Sequence, residues 1–175
     1  MKKKITYKAL KAMSPCYKPQ EIGIKSDYSA TIPRFIKEYR NKVQSKEDIV
    51  WVLCRKEYMT DRDLRLFAVW CAREALKWDS NPDPRSVNAC NIAEKFANGD
   101  ATQEGLDAAR AAAWVAARDA AWDATAESAA EAAARDAESA AWAAVRAAVW
   151  AAGDAGDAVR DAVRDAQIDK LLTYF

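Results

Sequence analysis

Between residues 32 and 43 the apolar positions Ile32, Phe35, Ile36, Tyr39 and Val43 recur at steps of three and four. That period gathers side chains on one face of an α-helix, and Thr31 stands ahead of the run as a capping residue. A second run from Thr60 to Trp78 places Leu64, Phe67, Cys71, Ala75 and Trp78 at the same spacing, with Thr60 or Asp61 positioned to cap it. The run ITYKALKAM after Ile5 also begins on a capping residue and reads as a short helix. Ser45 followed by Asp48 resembles a capping box for a helix carrying Ile49, Val52 and Leu53. Between these helices SPCYKPQEIGIKSDYSA predicts an irregular connection. SNPDPRSV is a break, after which Pro84 suits a first helical turn because its missing amide has no intrahelical partner there anyway. The helix it opens runs to about Asn98 and stops at Gly99, a natural left-handed C-cap.

From Ala101 to Ala166 the pattern changes: 30 of 66 residues are alanine, interleaved with Asp, Glu, Arg and tryptophans, and no proline follows Pro84. Alanine has the highest helix propensity, so this stretch is helical by default. As one rod it would reach roughly 100 Å at 1.5 Å per residue, so it has to fold back. Ser128-Ala-Ala-Glu131 is one candidate corner, as a capping box that also separates Glu127 from Glu131. Gly153-Asp-Ala-Gly156 is the other, with Asp154 or Asp157 beginning a last helix that ends in the apolar tail IDKLLTYF. Projected as a helix, Ser128 to Ala152 sends eight alanines, from Ala130 to Ala151, to one side and Glu131, Arg135, Glu138 and Arg146 to the other. Such a face lets helices approach more closely than the usual 8–10 Å.

The expected fold is all-α: a compact bundle of about seven helices with closely packed Ala-rich helices towards the C-terminus. Its length of 175 residues fits one domain, with a basic helical region over 1–60 and an Ala-rich helical region over 61–175. Charge follows that division. The net charge of +1 conceals about +8 over residues 1–60 and about −6 over 101–166. The two ends can pair inside the fold, pair between chains, or face an oppositely charged partner.

Chemistry is sparse. With no histidine, the chain lacks the commonest general base, the usual partner of a serine or cysteine nucleophile and the commonest metal ligand. Cys16, Cys54, Cys71 and Cys90 form no C-x-x-C pair and read as small buried hydrophobes of a reducing compartment. The five glycines match no phosphate-cradling loop, so no cofactor or metal is expected, and no catalytic residue. The start MKKKITYKALKAM is interrupted by Lys8 and Lys11 where a signal peptide needs an apolar stretch. No run approaches the roughly 20 apolar residues of a membrane span, so a soluble, cytoplasmic protein is expected. The dispersed lysines show no nucleic-acid-reading motif.

Two sets of residues remain as candidate contacts with a partner. Asp119, Asp123 and Glu127 fall at i, i+4 steps, as do Asp157, Asp161 and Asp165. Stripes of this kind are ordinarily solvated faces, but their spacing of about 6 Å is near the roughly 7 Å of phosphates along a DNA strand and admits an acidic nucleic-acid mimic. Trp114, Trp122, Trp142 and Trp150 read first as core anchors between alanine faces, and second as an aromatic surface for a partner. A self-assembling protein whose alanine faces pair between chains is a further alternative.

Three ordered segments carry a resemblance. DRDLRLFAVWCAREAL contains L-R-x-x-A-x-x-C-A, DPRSVNACNIAEKFANGDAT runs from D-P-R to a Gly-Asp turn, and the Ala-rich tract closes on RDAQIDKLLTYF with Q-x-x-x-L-L. In this order they resemble small bacterial and phage proteins classed as immunity proteins, over about residues 61 to 175. The resemblance implies a cytosolic, non-catalytic protein that binds and neutralises a toxin or defence protein. It implies no particular functional residues. Asp83, Pro84 and Arg85 look structural: a cap, a first-turn residue and an ion pair.

Overall fold

The computed structural model describes residues 3–15, 17–77, 79–119 and 157–175. Seven α-helices dominate these residues: α1 (Tyr7–Ala12), α2 (Ile32–Tyr39), α3 (Lys46–Leu53), α4 (Asp61–Leu76), α5 (Pro84–Asn98), α6 (Gln103–Asp119) and α7 (Asp157–Leu172). The fold is predominantly α, as the periodicity predicts.

Local chemistry accounts for the helix ends. Thr6 Oγ1 accepts the Ala9 amide at the start of α1, and Thr60 Oγ1 accepts the Asp63 amide at the start of α4. The capping box at α3 is complete: Ser45 Oγ accepts a first-turn amide and Asp48 Oδ2 accepts the Ser45 amide at 3.2 Å. Asp83 caps α5 ahead of Pro84, and its carboxylate also takes a forked ion pair from Arg85 at 2.7–3.2 Å. That pair holds the Asp83 carboxyl below its ordinary range. α5 stops at Gly99, whose φ of 86° is left-handed space that a side chain would strain.

One feature is absent from the periodicity. Lys4–Thr6 (β1) and Ser29–Thr31 (β2) form a two-stranded antiparallel sheet in the register Lys4 to Thr31, Ile5 to Ala30 and Thr6 to Ser29. The predicted irregular connection therefore ends in a strand and also holds a 3-10 turn over Pro19–Ile22. The sheet ties α1 to the start of α2 and puts Ile5 and Ala30 into the core.

A single apolar cluster runs from Ile5 through α2, α3 and α4 to Ile168 and Leu171 of α7. The face read from residues 32–43 is buried at Ile32, Phe35, Ile36 and Tyr39, where Phe35 and Tyr39 stack at 5.5 Å. In α4, Leu64, Phe67, Cys71 and Ala75 are fully buried. Trp78, the last residue of that run, lies outside the described residues, as do Cys16, the corners at 128–131 and 153–156, and the alanine face of 128–152.

α5 and α6 are joined by the short turn after Gly99 and pack as a hairpin. Their seam is a separate small cluster in which Ala89 meets Ala109 and Ala113 beside Ile92. Small side chains fill its buried centre with Ile92 packed at its edge, so a larger side chain at Ala113 has little room. Ala113→Leu is expected to destabilise the protein by about 1–3 kcal/mol through overpacking. Urea denaturation would read this, and an unchanged midpoint would show that the seam is loose.

Candidate functional site

Among the described residues, part of the charge division seen along the sequence is paired inside the fold. Arg40, just past α2, reaches α7 with Nε 2.9 Å from Asp165 Oδ1 and Nη1 2.6 Å from Asp169 Oδ1. Lys46 at the start of α3 places Nζ 2.7 Å from Asp165 Oδ2 and 3.8 Å from Asp161. Arg164 answers in the opposite sense, 3.6 Å from Glu47. The basic third thus supplies cations to the acidic last helix across more than 110 residues of chain.

The second acidic stripe is only partly a solvated face: the Asp161 side chain keeps 57 % of its surface in solvent and Asp165 keeps 35 %. Asp161 and Asp165 are engaged with Lys46 and Arg40, and Asp165 joins α7 to two other elements. Asp157 is the first residue of α7, and its side chain lies outside the described residues. Of the other stripe, Asp119 ends α6 with its side chain outside the described residues, and Asp123 and Glu127 lie outside them altogether. Trp122, Trp142 and Trp150 lie outside them as well.

Trp114 is the one candidate aromatic whose side chain is described, and it is 50 % exposed. The core-anchor reading is corrected at this position, because α6 turns Leu106, Ala109 and Ala113 inwards and carries Trp114 one residue off that stripe. Val87 is the other large apolar side chain exposed among the described residues, at 38 %. It stands in the first turns of α5, whose buried stripe is Ser86, Ala89, Cys90 and Ala93. Because the hairpin is antiparallel, the start of α5 and the far part of α6 lie at one end. Val87 and Trp114 therefore share that end. Periodicity marks Val87 only as the position beside Ser86, so nothing local distinguishes it.

Two buried thiols are held away from reactivity. Burial pushes Cys90 up to about 11 and Cys71 well above the ordinary thiol value, so neither supplies a thiolate at neutral pH. Among the described residues no group of three or more Cys, Asp or Glu side chains is arranged to hold a metal ion, and no helix is long and apolar enough to cross a membrane.

A cavity of about 280 Å³ opens beside α3. α1, the 3-10 turn, α2 and α3 line it with Leu10, Ile22, Phe35, Ile49, Trp51 and Val52, among others. Its polar side is formed by Glu47, Asp48 and Tyr17, whose hydroxyl donates to Asp48 Oδ2 at 2.8 Å. The sequence marks Asp48 as a capping residue and leaves Tyr17 in an irregular connection. Only the fold brings the two together.

No family model matches the chain, and no curated protein or solved structure does either. The three ordered sequence segments contribute to the core. Arg65 of L-R-x-x-A-x-x-C-A is buried with its guanidinium 4.8 Å over the Phe96 ring, and Cys71 shares a hydrogen bond with Gln167 of Q-x-x-x-L-L. Leu171 of the latter motif is fully buried. The buried residues of these motifs join α4, α5 and α7.

Proposed function

We propose that this chain is a non-catalytic binding protein that neutralises a partner protein, of the immunity or phage anti-defence kind. The observation that carries the reading is the pair Trp114 and Val87, exposed at one end of the α5–α6 hairpin. A half-exposed tryptophan is costly to leave in water and is the residue type most enriched at binding hot spots. Support also comes from the chemistry around it. The Cys71 and Cys90 thiols are held protonated, and the α7 carboxylate Asp165 is matched to Arg40 and Lys46. An acidic nucleic-acid mimic would have to work through Asp119, Asp123 and Glu127, since Asp161 and Asp165 are engaged internally.

The test uses the products of the genes flanking this one. If one of them arrests bacterial growth, co-expression of the chain should restore growth, and purified chain should bind that product. Trp114→Glu should weaken binding at least about tenfold, the loss of roughly 1.4 kcal/mol or more expected at a hot spot. Its stability should fall less than at a fully buried position, because half of the side chain's surface is in solvent. Failure of the wild-type chain to bind or protect against any flanking product would overturn the proposal. Light scattering of the chain alone separates self-association: a stable oligomer that Trp114→Glu dissolves would assign this surface to a second copy instead.

A further inference from the structure

We infer that the cavity between α1, the 3-10 turn, α2 and α3 is a binding site for a compact apolar amine, one or two rings carrying a single ammonium group. This is independent of the protein-contact surface on α5 and α6.

Volume sets the size. At about 280 Å³ the cavity is roughly twice the 150 Å³ that accommodates benzene, which suits a fused two-ring body. Its walls are buried hydrocarbon from four elements, including Leu10, Ile24, Phe35, Ile49 and Val52, with the partly exposed Trp51 ring beside them. Water gains few hydrogen bonds against such walls, and the lining atoms lack dispersion partners until a ligand supplies them.

Charge sets the functional group. Among the described residues the lining includes two carboxylates, Glu47 and Asp48, and no lysine or arginine. Glu47 has a counter-charge in Arg164 at 3.6 Å. Asp48 is different: Oδ2 accepts the Ser45 amide and the Tyr17 hydroxyl, both neutral donors, and among the described residues no ion pair joins it to a cation; Lys46, two positions before it, pairs with Asp161 and Asp165, and Arg55 stacks 4.2 Å over the Trp51 ring. A carboxylate at the edge of an apolar cavity without a cation of its own favours an ammonium and disfavours an anion. The exposed lysines of the basic third act at longer range through solvent and are screened within about 8–10 Å at physiological salt.

Tryptamine, indole and indole-3-acetate share a ring system and differ in charge, and calorimetric titration of the full-length chain with each tests the inference. Tryptamine is expected to bind at least about tenfold more tightly than indole, the separation of one charge-assisted hydrogen bond, and indole-3-acetate more weakly than indole. Asp48→Asn keeps an acceptor for the Ser45 amide and should abolish the preference for tryptamine while leaving indole binding intact. Val43→Trp, at a half-buried lining position, should fill the cavity and remove binding of both; should this variant fail to fold by circular dichroism, the Asp48→Asn comparison decides alone. The inference is overturned by no binding at millimolar concentration, by equal affinity for tryptamine and indole in the wild-type chain, or by a tryptamine preference that survives Asp48→Asn.

Discussion

Leu171→Ala is expected to destabilise the protein by about 2–5 kcal/mol, the range for truncating a fully buried leucine in a core that cannot collapse around the gap. Leu171 has no exposed surface and, with Ile168 and Gln167, forms the buried face by which α7 packs on α3 and α4. Domains of this kind are stable by only about 5–15 kcal/mol, so the variant should unfold at a much lower urea concentration. Ala166→Ser, on the exposed side of the same helix, should stay within about 0.5 kcal/mol. A loss at Leu171 no larger than that at Ala166 would mean that α7 is not docked on the core.

Asp165→Lys is the electrostatic counterpart, with an expected cost of about 2–4 kcal/mol. The substitution removes the acceptor of Arg40 Nε and Lys46 Nζ and leaves three cations together. The upper end of the buried-pair range does not apply, because the Asp165 side chain keeps 35 % of its surface in solvent. The wild-type group also has a pH signature. Burial works to raise the Asp165 carboxyl, but the hydrogen bonds from Lys46 and Arg40 outweigh it and hold it below its ordinary value. The unfolded chain therefore takes up this proton first as pH falls. The contribution is complete at neutral pH, declines as pH drops through about 4, and is gone below the folded value. Asp165→Asn should accordingly flatten the dependence of stability on pH between about 5 and 3, as read by urea denaturation at each pH. A slope in that window identical to wild type would rule out this carboxylate as a contributor.

The surface proposed for a partner was half legible. Trp114 stands out in any reading of the chain because a tryptophan among alanines is either an anchor or a contact. Which of the two holds depends on the side of α6 that meets α5, and the buried Ala109 and Ala113 settle that only after the hairpin has formed. Val87 was not legible, since one valine in a first turn carries no periodic signal. The cavity was not legible either. Tyr17 and Asp48 are 31 residues apart and meet only because the connection after α1 runs past the start of α3.

Up to Gly99 the helices and their ends were legible from spacing and side-chain type, because they depend on interactions within four residues. The caps at Thr6, Ser45, Thr60 and Asp83, the stop at Gly99 and the buried faces of α2 and α4 all follow from spacing and side-chain type. Tertiary structure alone decided the pairing of Lys4–Thr6 with Ser29–Thr31, since three-residue strands are too short to show an alternating pattern. It also decided the fate of the opposed charges. An excess of lysine at one end and aspartate at the other permits internal pairing, pairing between chains or a charged partner equally well. The choice lies in a distance, 2.7 Å between Lys46 and Asp165, that exists only because Ile168 and Leu171 bury the last helix against the core and carry its carboxylates to the cations.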